Sequence, residues 1–211
     1  METIQAIVTE QWQQQSVFEI FAVILSIAYV WLAAEESIWC WPAAFISTSL
    51  FVFVFWDVSL LFQLMLNLYY LVMAVVGFMH WRRSNDEGFV ALTMPFKLHA
   101  TILGAGLLLT FAVTFLTKKL AGQWFGYEYL YLDAGITMFS LLATYLTVKK
   151  YLQSWMYWSI INFLSIYLFV ANGLYLTVIL MLIYIAIAMR GYINWSQDIA
   201  PDDTPYPLNS K

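Results

Sequence analysis

The chain has 211 residues, 63% of them hydrophobic and 10% charged, with a formal net charge of −4. A soluble domain carries roughly 25% charged residues, so much of this apolar surface has to be covered by lipid. Nine basic against thirteen acidic residues leave no basic face for nucleic acid, and the single cysteine, Cys40, excludes an internal disulfide or a cysteine-based metal site.

Residues 1–16 hold Glu2 and Glu10 and no lysine or arginine, unlike a signal peptide; they read as an extracytoplasmic tail. Seven stretches then have the length and apolarity of a bilayer-crossing helix: 17–34, 38–56, 60–80, 98–117, 130–148, 152–171 and 174–194. Inside each group of three the links are short (Glu35–Ser37, Asp57–Ser59, Lys149–Lys150), which forces neighbouring helices antiparallel. The polar segment 196–211, with three prolines, reads as an unstructured tail on the cytoplasmic side.

The stretch Glu19–Trp81 returns without a gap as Asp133–Trp195, a shift of 114 residues. Ser26 falls on Ser140, Trp41 on Trp155, Tyr70 on Tyr184, Gly77 on Gly191 and Trp81 on Trp195. The predicted architecture is therefore an all-α integral membrane protein. Residues 17–80 and 130–194 form two three-helix repeats, and the span 98–117 links them. Four spans separate the repeat starts, so the repeats run parallel, an arrangement known in transporters whose substrate sits between the halves.

Arg82, Arg83, Lys97, Lys149, Lys150, Arg190 and Lys211 share a side with the C-terminus, and only Lys118 and Lys119 share the other. The positive-inside rule then places the C-terminus in the cytoplasm and the N-terminus outside.

No phosphate-cradling glycine loop, metal-spaced histidine pair or nucleophilic triad is present, and the mid-span stretches contain no ionisable chain of the kind a pump uses. No catalytic residue, metal or cofactor is expected. The uncharged polar residues are more informative. Trp155, Trp158 and Asn162 follow i, i+3, i+7 on one helix face. Trp41 and Thr48 occupy the positions of Trp155 and Asn162 in the first repeat. The third span carries Gln63, Asn67 and Tyr70, and the seventh carries Thr177 and Tyr184 opposite Gln63 and Tyr70. Amides are costly in lipid unless hydrogen-bonded, so these faces point inward. They either join helices by hydrogen bonds or line a site where rings stack a flat ligand, amides orient it, and ring faces attract a cation. Trp12, Trp39, Trp81, Trp124 and Trp195 lie near span ends and read as an interfacial belt. His80 and His99 read as interfacial, and Glu35 and Glu36 as solvated loop charges. Glu19 and Asp133 either stabilise helix starts or form an acidic vestibule.

Tyr29-Val30-Trp31-Leu32-Ala33-Ala34-Glu35, Trp39-Cys40-Trp41-Pro42, Phe139–Tyr145, Lys149-Lys150, the Trp155-x-x-Trp158 pair, Gly173–Thr177 and Gly191–Trp195 together resemble the PnuC family of bacterial vitamin transporters. The resemblance covers both repeats. It implies a fold like that of SWEET sugar transporters, and facilitated diffusion of an unphosphorylated vitamin across the bacterial inner membrane. It also implies trapping of the substrate by a cytoplasmic kinase. Trp155, Trp158, Asn162 and Asn67 are the positions it assigns to the site. Nicotinamide riboside is the best-known substrate of the family; other branches resemble thiamine, riboflavin or deoxynucleoside transporters. Nicotinamide riboside members tend to carry Gln at Asn67 and Tyr-Gly-Trp at Val76-Gly77-Phe78, a departure that tilts the expectation narrowly to thiamine. A sugar transporter of the same fold, a membrane receptor and a membrane enzyme are the alternatives.

Overall fold

The computed structural model describes residues 3–14, 17–57, 61–84, 88–121 and 129–199, apart from some side chains at the edges of these stretches. Among them are eight helices: α1 (Ile4–Gln14), α2 (Val17–Ala34), α3 (Cys40–Asp57), α4 (Leu61–Ser84), α5 (Phe96–Ala121), α6 (Leu130–Val148), α7 (Ser154–Ala171) and α8 (Tyr175–Trp195). Five of them, α2, α5, α6, α7 and α8, are long and apolar enough to cross a membrane, and α3 contributes a shorter apolar stretch, Cys40–Phe53. The expected spans coincide with α2–α8, with ends displaced by at most four residues.

The two ends of the chain differ from expectation. The first tail contains α1, which Gln11 pins to the α7–α8 turn. Its Nε2 donates to the Gly173 carbonyl (2.7 Å) and its Oε1 accepts from the Leu176 N–H (3.1 Å), one of the otherwise unpaired donors in the first turn of α8. Ser196–Ile199, at the start of the second tail, are folded back, with the Asp198 carbonyl accepting from the Ala91 N–H at 2.8 Å. Residues 200–211 lie outside the described residues.

Within the repeats α2 packs on α3 and α3 on α4, as α6 packs on α7 and α7 on α8; α5 lies against α6. Between them, α2 meets α8 and α4 meets α6. These two seams carry reciprocal bonds. Trp81 of α4 donates its indole N–H to the Val148 carbonyl at the end of α6 (3.1 Å), and Trp195 of α8 donates to the Ala33 carbonyl at the end of α2 (3.0 Å). Tyr184 bonds Ser26 (2.6 Å), and Tyr70 bonds Ser140. Trp81 and Trp195 are therefore no part of an interfacial belt. Both are 0% exposed, each donating to a carbonyl at the C-terminal end of its partner helix. Trp12 and Trp39 are exposed, and Trp124 lies outside the described residues.

Inside each repeat a tryptophan rests on a glycine. A Cβ on Gly77 would lie 2.5 Å from the Trp41 ring, and one on Gly191 would lie 2.5 Å from Trp155. Trp41 meets Trp81 edge-on at 5.3 Å, Trp155 meets Trp195 at 5.3 Å, and Trp81 meets Trp195 at 5.8 Å. Four buried indoles thus form one chain across the repeat interface, at the end of the bundle where α4 and α8 finish.

A strap covers this end. Residues 88–95, between α4 and α5, hydrogen-bond to the α6–α7 turn: the Leu92 N–H to Lys150 (2.9 Å), the Leu152 N–H to Leu92 (2.9 Å) and the Met94 N–H to Gln153 Oε1 (2.9 Å). Phe89 of the strap packs on Trp195 (4.9 Å) and Trp81 (5.2 Å). The turns after α2 and α6 place Glu36 and Lys150, equivalent in the repeat, at φ 59°. In both, the next residue's N–H returns to the carbonyl five residues earlier (Ser37 to Leu32, Tyr151 to Leu146), a helix-ending motif that normally takes glycine. A charged side chain occupies the strained position each time. Lys150 is 4% exposed, with Nζ 4.7 Å from the Phe89 ring centre. Burial pushes its pKa down to about 8. Burial, with Asp198 beside it, pushes Glu36 up to about 7, and its Oε1 is buried without a partner. Glu35 bonds Arg190 of the other repeat at 2.6 Å. Glu36 is thus a half-buried closing contact rather than a solvated loop charge, while Glu35 is exposed as expected and forms a surface pair across the repeats.

Two outcomes follow from this packing. Gly77→Ala or Gly191→Ala crowds an indole and should cost about 1–3 kcal/mol, lowering the melting temperature in detergent. Gly104→Ala, with nothing within 4 Å, should leave it unchanged or raised. Glu36 has a raised folded pKa, so its ionised form destabilises the fold as pH rises towards 7. The melting temperature should therefore rise on acidification from about pH 7 to pH 5, and Glu36→Gln should flatten that dependence.

Candidate binding cavity

A cavity of about 320 Å³ lies between the repeats, within the range of small-molecule sites. Its lining runs from Asp133, in the first turn of α6, to Trp41 and Trp155 beside the indole chain. Of the expected site residues, Trp41, Thr48, Asn67, Tyr70, Trp155, Trp158, Asn162 and Tyr184 all line it. Thr177 does not: it lies a turn from the start of α8, whereas the α8 wall begins at Met181. Gln63 lies outside the residues whose side chains are described.

One face of α7 supplies Trp155, Trp158, Asn162 and Ser165, at i, i+3, i+7 and i+10. Asn162 is 7% exposed and makes no hydrogen bond among the described residues, so its amide is vacant towards the cavity. Trp158 donates to Thr147 Oγ1 at 3.1 Å, which fixes its ring against α6. The indole N–H groups of Trp41 and Trp155 are buried without an acceptor, a state that costs about 1–3 kcal/mol each. Both rings are held on glycines, so what is vacant at Trp41 and Trp155 is the polar edge.

The α6 wall escaped the sequence reading. Thr137, Ser140, Thr144 and Thr147 line the cavity at i, i+3, i+7 and i+10, a stripe about 15 Å long. Their equivalents in the first repeat are Val23, Ser26, Val30 and Ala33, so the stripe is one-sided. The helical spacing of these hydroxyls was the available signal. Ser140, Thr144 and Thr147 each donate to a carbonyl one turn back, at 2.7, 2.8 and 3.0 Å. Ser165, Thr48 and Ser47 also donate to backbone carbonyls. A hydroxyl has one proton, so these six offer the cavity lone pairs.

Among the described lining residues only Asp133 is charged, and none is a lysine or arginine. Its repeat equivalent Glu19 is not in the lining. The departures at Val76 and Phe78 also lie elsewhere. Val76 is 44% exposed, Phe78 packs into the core around Trp41 and Trp81, and neither reaches the cavity. Of the two histidines, His99 stacks on Tyr157 with Nδ1 3.2 Å from its hydroxyl, outside the lining.

Residues 16–197 match the family described as nicotinamide mononucleotide transporter. A nicotinamide riboside transporter PnuC of Neisseria mucosa is 30% identical over 162 residues, 72% of this chain; the match spans 61% of the relative's length. The nicotinamide riboside transporter PnuC of Escherichia coli is 23% identical over 84% of both chains. The crystal structure of a vitamin B3 transporter PnuC superposes with a TM-score of 0.71 at 22% identity, covering 92% of this chain and 88% of that one. The fold is thus that of a known vitamin transporter, and the chain belongs to the nicotinamide mononucleotide transporter family.

Proposed function

We propose that the chain is a facilitator for nicotinamide riboside, carried through the cavity between its repeats. The observation that bears most on the substrate is the cavity lining. The family description names a mononucleotide, whereas the relatives from Neisseria and Escherichia are named for the riboside. The two ligands differ by a phosphate. A phosphate buried here would meet no lysine or arginine, hydroxyls that offer lone pairs, and the Asp133 carboxylate. Burying an uncompensated anion is costly, which favours the unphosphorylated riboside. Its planar pyridinium suits the ring of Trp158, and its carboxamide can both donate and accept against Asn162 and an indole N–H.

The narrow tilt to thiamine rested partly on Val76 and Phe78, which lie away from the cavity, and the relatives' names favour the riboside instead. Asn67 is buried and does line the cavity, so it remains a point of difference in one wall.

In this reading α2–α8 all cross the bilayer, two parallel repeats joined by α5, with the N-terminus outside the inner membrane and the strap facing the cytoplasm. The cavity is then open towards the outside and closed within. Rocking of the repeats parts the indole chain and releases the ligand inwards, where phosphorylation by a cytoplasmic kinase traps it.

Titration of the purified protein should give binding of nicotinamide riboside at micromolar concentrations and none of the mononucleotide. Trp158→Ala and Asn162→Ala should each weaken binding by about 1–3 kcal/mol, roughly 5- to 150-fold, with folding intact. Unchanged affinity in both would place the site elsewhere. In vesicles, uptake should stop at equal concentrations; accumulation driven by a proton or sodium gradient contradicts simple facilitation.

A further inference from the structure

We infer that Asp133 is the charge-selecting residue of the cavity: it favours the cationic form of the ligand over a neutral form of the same shape. The inference rests on the proposed site and deepens it. Both repeats carry an acid at this position, yet only Asp133 reaches the cavity; Glu19 is partly buried outside it and has its own partner. Asp133 is exposed at the mouth, and it makes no ion pair among the described residues. Of the two described lysines at that end, Lys118 lies against Tyr131, with Nζ 3.3 Å from the hydroxyl and 4.4 Å from the ring centre, and Lys119 is exposed.

The walls behind Asp133 have the same sign. Hydroxyls along α6 have committed their protons to the backbone, so they present lone pairs. Tyr29, Tyr70, Trp158 and Tyr184 add electron-rich rings. A positive ligand entering past Asp133 meets attraction along its whole path and no repelling cation. An acid in the first turn of a helix also stabilises that helix. That role is indifferent to ligand charge, and this difference makes the assignment testable.

Nicotinamide riboside is a cation, and its dihydro form is nearly the same shape but neutral. The unaltered protein in lipid nanodiscs should bind the cation at least about tenfold more tightly at low salt. Raising salt from about 0.05 to 0.5 M should narrow the preference, since exposed charges are screened. Asp133→Asn should lower the ratio of the two affinities several-fold, to the part owed to the walls, and remove its salt dependence. Asp133→Glu should keep both. Asn162→Ala should weaken both forms and leave their ratio intact. An Asp133→Asn protein that loses both forms equally, or keeps the wild-type ratio, overturns the assignment while the site stands. Failure of both forms to bind the unaltered protein overturns the site and the assignment together.

Discussion

The structure depends on two indole N–H groups that cross between the repeats. Trp81 reaches the last carbonyl of α6, and Trp195 reaches a carbonyl in the last turn of α2. Helix ends leave carbonyls with capacity to accept: the Val148 carbonyl takes the Trp81 proton, and the Ala33 carbonyl, which also accepts from the Glu36 N–H, takes that of Trp195 as a second bond. Each repeat therefore completes the other. The consequences spread from there: the rings draw in Trp41 and Trp155, the glycines beneath those rings set helix spacing, and Phe89 of the strap seals the junction from outside. The cavity is lined at one end by two rings of this chain, Trp41 and Trp155.

Closing that end is a matter of charge as well as packing. Glu36 and Lys150 hold equivalent left-handed positions, but one is acidic and one basic. Repeat symmetry alone would put like charges together. Opposite charges let two strained turns sit side by side, with Glu35 and Arg190 forming a second cross-repeat pair. The charged contacts are close to neutral in sum, which suits the proposed cycle in which this interface parts and re-forms.

Much of the frame was legible in the sequence, because apolar periodicity and an ungapped repeat both survive in one dimension. The positions of the helices, the pairing of Ser26 with Ser140 and Tyr70 with Tyr184, and the inward face of α7 could all be read from spacing. What could not be read was which residues meet across the interface. Trp81 and Trp195 sit near span ends, where tryptophan usually faces headgroups; only the contact between repeats buries them. Glu19 and Asp133 are equivalent in register, and the asymmetric mouth of the cavity separates them. The hydroxyl stripe on α6 was visible as spacing but carried no weight until its protons were seen to be committed. Thr177, chosen because it maps onto Gln63, shows the limit of transferring a polar position between repeats: the α8 wall of the cavity begins a turn further along.

The central claim is that the repeats separate at the indole chain when ligand passes. Spin labels on Trp39→Cys and Tyr192→Cys, in a Cys40→Ala background, would report the distance between the repeats at that end by double electron–electron resonance. The account predicts a short distance in the ligand-free protein and a second, longer population that grows when nicotinamide riboside is added. A single short distance, unchanged by a saturating concentration of ligand, would contradict it.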